Sequence, residues 1–238
     1  MDCPPAWRAC APVARFCDED LPTLHAAMPA DVVPAYPATL WRPLQLVGEP
    51  SEVRLVVLRQ HVNPRGPTGL CMGIGPRSPR AEYEVLEALL AERVPAPEGP
   101  RAFPFKGSRA AEPATPLRLD GLAERMARRG VLWLSLHPFT QRGSYAALEH
   151  MGWDALARAA IETSIEATEG RCVVLALGAA AHRAAAEAVR GRCPMVRTSS
   201  EARSARSEGR EALVGSRCLA RASALLEALG RGPLDWSS

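Results

Sequence analysis

Four short apolar runs punctuate the chain: "VRLVVLR", with a strand expected over 54–59, "VLWLSL" (131–136), "CVVLALG" (172–178) and "CPMVRTS" (193–199). The segments between them carry apolar residues at helical spacing. Runs this short, rich in β-branched residues and bounded by turn residues, read as strands. They are apolar nearly throughout rather than at alternate positions, so both faces of the sheet are covered. Strand–helix alternation of this kind predicts a three-layer α/β/α sandwich around a central parallel four-stranded sheet.

The helical segments have their own signals. "SPRAEYEVLEALLAER" (78–93) has Pro in its first turn and Val85, Leu86, Leu89 and Leu90 on one face. "LDGLAERMARRG" is a short helix ended by Gly130, and "WDALARAAIETSIEATEG" is the longest, stopped by Gly170. "AAAHRAAAEAVR" and "SRCLARASALLEALG" complete the set. The stretch "VPAPEGPRAFPFKGSRAAEPATP" has neither period and reads as loop. Residues 1–35, rich in Pro, Ala and Cys, read as a loosely ordered arm, and 36–238 as one domain.

Strand ends are expected at Leu58, Ser135, Gly178 and Thr198, so the following loops share one rim, where α/β proteins bind ligands. After Leu58 the chain reads Arg59, Gln60, His61, Val62, Asn63, Pro64, a mostly polar stretch suited to a site.

Composition removes several classes. No apolar run approaches the roughly 20 residues of a membrane span, and the N-terminus "MDCPPAWRACAPVARFCDED" does not read as a secretory signal. An intracellular protein with no membrane association is expected. The seven cysteines form no CxxC pair and read as reduced, mostly buried thiols. Of 29 basic residues Lys106 is the only lysine, leaving 28 arginines, a skew that fits a GC-rich genome as well as it fits phosphate contacts. His137, His150 and His182 are far apart in sequence and read as ordinary histidines; no metal and no cofactor is expected. "GLCMGIG" follows a loop rather than a strand and is discounted as a nucleotide fingerprint.

Six collinear pieces carry a family resemblance: "YPATLWRPLQLVGEPSEVRLVVL", "GLCMGI", "RRGVLWLSLHPFTQRG", the pair Gly152–Trp153, "VVLALGAAAH", and "GSRC" leading to "LLEALGRGPLDWSS". Together, over about residues 36–238, they resemble the uracil-DNA glycosylases of the eukaryotic and herpesviral kind. The resemblance implies the fold and a rim that flips a nucleotide out of the stack to reach its base. It also implies roles. A first-loop Asp, in a G-Q-D-P-Y-H motif, orients water and stabilises the sugar cation, and a Tyr there excludes thymine. A Phe stacks on the base, and an Asn after the second strand reads uracil's edge. A His in an H-P-S-P-L loop stabilises the leaving base, beside a Leu that wedges into the duplex.

Carried over, Gln60 is kept, but His61 stands for the Asp and Asn63 for the Tyr. Met72 stands for the Phe, Ser135 for the Asn, and Ser200 lies near the position of the His. Ala179 replaces the Ser of a phosphate-gripping Gly-Ser pair. A neutral imidazole lacks the carboxylate's charge, and such charge placement is worth ~3 kcal/mol or more. His61 could still act as a base with a pKa near ~6.5, with Asn63 holding a water. The sequence alone therefore points to a viral-type homologue without catalysis, serving in the nucleus as a DNA-binding or replication and repair accessory protein, and predicts no excision of uracil. The alternative is a divergent but active uracil-DNA glycosylase using His61 and Asn63. Sequence-independent, salt-sensitive DNA binding would use Arg197, Arg203, Arg206 and Arg217 on one rim and Arg59 and Arg65 on the other.

Overall fold

The computed structural model describes residues 2–62, 68–73, 86, 89–90, 121–141, 144, 148–199, 213 and 215–236. Six strands are present among them: β1 (Val32–Val33), β2 (Leu55–His61), β3 (Val131–His137), β4 (Thr140–Gln141), β5 (Val173–Leu177) and β6 (Met195–Thr198). Four form one wholly parallel sheet in the order β3-β2-β5-β6, as expected. The order in which successive strands are added reverses between β2 and β5. A crevice at the carboxyl ends of the strands beside such a switch point is where open α/β sheets bind ligands.

β2 and β3 run further than their apolar residues suggest. Pairing continues through Arg59↔Ser135 to His61↔His137, and Val62 N–H donates to His137 O at 3.3 Å. Gln60 and His61 are thus strand residues, not loop residues as the end of the apolar run at Leu58 implied. Ladder hydrogen bonds extend a strand whatever its side chains, provided a partner strand continues alongside.

The helices are α1 (Pro5–Arg8), α2 (Ala11–Arg15), α3 (Leu21–Ala26), α4 (Arg42–Val47), α5 (Leu122–Ala127), α6 (Asp154–Ala167), α7 (Ala179–Val189) and α8 (Cys218–Ala228). α6 buries Leu156, Ala157, Ala160, Ile161, Ser164 and Ile165, the stripe expected of a helix lying on a sheet. α7 buries only small residues, Ala181, Ala185, Ala188 and Val189, which lets its backbone approach α6 closely. Of the helix expected over 78–93, the described positions Leu86, Leu89 and Leu90 are helical and buried, and the rest lies outside the described residues. None of the described helices is long and apolar enough to cross a membrane.

The N-terminal segment is not a loose arm. α1, α2 and α3 each carry Pro in the first turn, where its fixed φ and missing N–H cost the helix nothing. Between α2 and α3 the chain makes a π-helical turn, Phe16–Asp20. Trp7, Val13, Phe16 and Leu24 are all buried in the core; Trp7 is 0 % exposed and its Nε1–H donates to Gly48 O at 2.8 Å. Phe16 meets Trp41 edge-on at 6.2 Å. These four large apolar residues outweigh the Pro, Ala and Cys around them, because their burial is what offsets the entropy of ordering the segment.

Two clamps fix the opposite end of the sheet. The Arg54 guanidinium donates to the carbonyls of Arg231, Gly232 and Pro233, which pins the C-terminal segment under β2. Gly130, at φ +90°, brings its carbonyl within 2.8 Å of Arg54 N and 3.2 Å of Leu55 N. A Cβ there would stand 2.3 Å from Glu52 O, so only glycine lets β3 start beside β2. All seven cysteines are free thiols, and Cys71, Cys172, Cys193 and Cys218 are buried.

Candidate active site at the carboxyl rim of the sheet

The register places Arg59 and His61 of β2 on the same face as Ser135 and His137 of β3, with Gln60 on the other. His61 and His137 rings stand 5.2 Å apart, tilted by 35°. A carboxylate joins them from a separate element: Glu149 Oε1 lies 2.9 Å from His61 Nε2. Glu149 opens a short 3-10 turn, Glu149–Met151, which runs through Gly152 (φ +94°) into Trp153 at the start of α6.

Aromatic packing sets the position of this turn. Trp153 is 0 % exposed and packs on Phe139 at 5.2 Å and Tyr36 at 5.7 Å, while Tyr36 meets Phe139 edge-on at 5.1 Å. Phe139 lies two residues past the end of β3, so Glu149 is tied to the strand end that carries His137. The N-terminal segment supports the same cluster: Tyr36 OH lies 2.7 Å from His25 Nδ1, and β1 pairs with β4 beside Phe139.

The electrostatics favour neutral imidazoles. Burial pushes the His61 pKa below its ordinary value, His137 and Arg59 push the same way, and Glu149 opposes them. Burial also lowers His137, against the pull of Glu149 and Asp154, with His150 adding a small repulsion. His137 Nδ1 is buried with no hydrogen-bond partner among the described residues. Among those residues no group of three His, Cys, Asp or Glu is arranged to hold a metal ion. His182 is structural: its Nε2 lies 2.8 Å from Thr198 O and 3.1 Å from Ala176 O, across the ends of β5 and β6.

The other candidate residues sit in varied surroundings. Met72, placed by sequence against a base, is 9 % exposed and lines an apolar core space with Val57, Leu86, Trp133 and Leu175. The segment carrying it is drawn onto β2: Arg59 Nη1 donates to Cys71 O at 2.7 Å, and Cys71 Sγ lies 3.4 Å from Val57 O. Arg59, expected to face DNA, is thus half-buried and engaged with the backbone. Ser135 is half-buried beside a cavity of about 20 Å³ that Val62, Pro138 and Thr39 also line, room for about one water. Gln60 is half-buried; Arg197 and Arg217 are exposed. Asn63, Arg65, Ser200, Arg203 and Arg206 lie outside the described residues.

Sequence reasoning missed Glu149 and His137. "LEHMGW" shows a Gly-Trp pair but nothing that singles out the Glu, because its partner is contributed by a distant strand.

No family model matches the sequence, and no curated relative is found. Solved structures do match. Mimivirus uracil-DNA glycosylase aligns with a TM-score of 0.63 at 13 % identity, over 94 % of this chain and 78 % of that one. Its Y322L variant in complex with UGI aligns at 0.65 and 14 %, over 98 % and 88 %. The glycosylase of Nitratifractor salsuginis aligns at 0.53 and 18 %, over 93 % and 92 %. The chain has the fold of the uracil-DNA glycosylases.

Proposed function

We propose that the protein acts on DNA as a divergent N-glycosylase, hydrolysing the bond between a flipped-out base and its deoxyribose. The observation that carries this reading is the contact between His61, at the end of β2 beside the switch point, and the carboxylate of Glu149. The sequence implied a rim that had lost its acid. A carboxylate reaches the same strand end from the turn before α6, which removes the main argument against hydrolysis. Base selection is expected to be loose, because the single rotating hydroxyl of Ser135 cannot match both a donor and an acceptor on uracil's edge as an amide can.

A second reading is favoured by Met72, whose place in the core leaves it no role as a stacking platform. In that reading the protein binds DNA without cutting the glycosidic bond and serves a replication or repair complex. An intracellular, nuclear location and DNA as partner go with both.

The two separate in one experiment: single-turnover incubation with a single-stranded oligonucleotide holding one uracil, with abasic sites revealed by alkali. Excision that disappears in His61→Ala supports the glycosylase. Salt-sensitive binding of the same oligonucleotide with no abasic product supports the accessory role.

A further inference from the structure

We propose that Cys3 and Cys17 form a redox-responsive dithiol, a modification site that small disulfides of the oxidised-glutathione class convert into an intramolecular disulfide. The bond closes residues 3–17 into a loop and braces the N-terminal helices. It does not depend on the reaction performed at the carboxyl rim of the sheet.

The seven cysteines differ in access. Cys71, Cys172, Cys193 and Cys218 are buried, whereas Cys3, Cys10 and Cys17 are partly exposed. Within the second group, the thiols of Cys3 and Cys17 share a hydrogen bond. Cys10 turns elsewhere: its Sγ lies 3.4 Å from Ala6 O, and besides burial the groups acting on it are the carboxylates of Glu166 and Glu49. Cys172 and Cys193 also share a hydrogen bond, but Cys172 is 0 % exposed and closed to a solute.

Local structure holds the accessible pair together. Cys3 precedes α1, and Cys17 lies in the π-helical turn Phe16–Asp20. Buried Trp7 anchors α1, and buried Phe16 anchors the turn. Arg8 ties the two segments: its guanidinium donates to Ala14 O at 3.2 Å and pairs with the carboxylate of Asp18, the residue after Cys17. Two thiols in contact between braced segments need little backbone movement to reach bonding distance, which is the geometric condition a disulfide sets.

Burial pushes the Cys3 thiol up to about 12, and Cys17 adds to the rise, so Cys3 is the S–H donor. Burial also raises Cys17, while the hydrogen bond from Cys3 and the charge of Arg8 pull it down and Asp18 pushes it up. Cys17 therefore ionises first and is the attacking thiolate. It displaces one thiol from the small disulfide and forms a mixed disulfide. Cys3 then gives its proton to solvent and attacks the Cys17 sulfur, and the second small thiol leaves. Two electrons pass from the protein dithiol to the reagent, which is reduced to two thiols. The closed loop removes conformations from the unfolded chain, so the oxidised protein should melt roughly 5–10 °C higher.

The test incubates the folded protein with oxidised glutathione, blocks the remaining thiols and maps disulfides in a tryptic digest. Cleavage after Arg8, Arg15 and Arg54 leaves Cys3, Cys10 and Cys17 on separate peptides, since Pro43 protects the bond after Arg42. The expected product joins peptides 1–8 and 16–54 and leaves Cys10 free, and it forms faster at pH 9 than at pH 7. In urea the preference should vanish, because Cys10 lies between the two in sequence and closes smaller loops. Oxidised wild type should show the melting shift, and Cys3→Ser treated alike should not. A folded protein in which Cys10 is bridged as often as Cys3, or in which peptides 1–8 and 16–54 are never joined, would overturn the pair. A bridged protein that melts with the reduced one would overturn its bracing role.

Discussion

His61 Nε2 and Glu149 Oε1 lie 2.9 Å apart, joining the end of β2 to the turn before α6. Among the influences on His61, Glu149 is the one that raises its pKa, against burial, His137 and Arg59. Neutralising the carboxylate in Glu149→Gln should therefore depress the His61 pKa further. An NMR titration of the two proteins checks the direction, and an upward movement in the variant would contradict the geometry.

Both rim histidines are depressed below the ordinary value of 6.5 in the folded protein. Between that value and the lower folded pKa, the unfolded chain binds more protons than the native one. Their contribution to stability is therefore complete above about pH 6.5 and lost as pH falls through the folded values. The melting temperature should drop between pH 7.5 and pH 5. His137→Gln removes one of the two titrations and should make that drop shallower.

Two arginines expected to grip DNA should behave differently when removed. Arg197 is exposed at the carboxyl end of β6, so Arg197→Ala should lower the slope of log K against log salt by about 0.9 on duplex DNA. Arg59 donates to Cys71 O, so Arg59→Ala should cost about 1.5–3 kcal/mol of stability and leave the salt slope unchanged. Affinities at two salt concentrations, with urea melts of both variants, separate the two roles.

Trp7 is fully buried and hydrogen-bonded to Gly48 O. Trp7→Ala should cost about 3–5 kcal/mol in denaturant unfolding if the N-terminal helices belong to the domain. A loss below ~1 kcal/mol would return them to the status of an arm.

Gly130→Ala combines a left-handed φ with a Cβ only 2.3 Å from Glu52 O. Destabilisation well above ~1 kcal/mol is expected, since an Ala at positive φ loses more than it gains from a stiffer unfolded chain. Equal stability of variant and wild type in urea would refute the close approach of β2 and β3.

The sheet was legible in the sequence because its cause is local. Leu55–Leu58, Val131–Leu134 and Val173–Leu177 are apolar at every position, and Gly130 and Gly170 mark where the neighbouring helices stop. The helical N-terminus was not legible, because Trp7, Val13 and Phe16 sit among residues of weak preference and fold only against Gly48 and Trp41. The burial of Met72 is what its spacing favours, but the contact that draws its segment onto β2, Arg59 to the Cys71 carbonyl, was not legible. The position of His61 at the rim follows from strand spacing, so the sequence by itself determined where a site should be and that its loop carries no acid. Only the tertiary structure decided that an acid is present. Glu149 reaches His61 because Trp153, Phe139 and Tyr36 pack together and set the turn against the end of β3. Charge acts through space rather than along the chain, so a carboxylate held within 3 Å by packing can act on His61 as one in its own loop would.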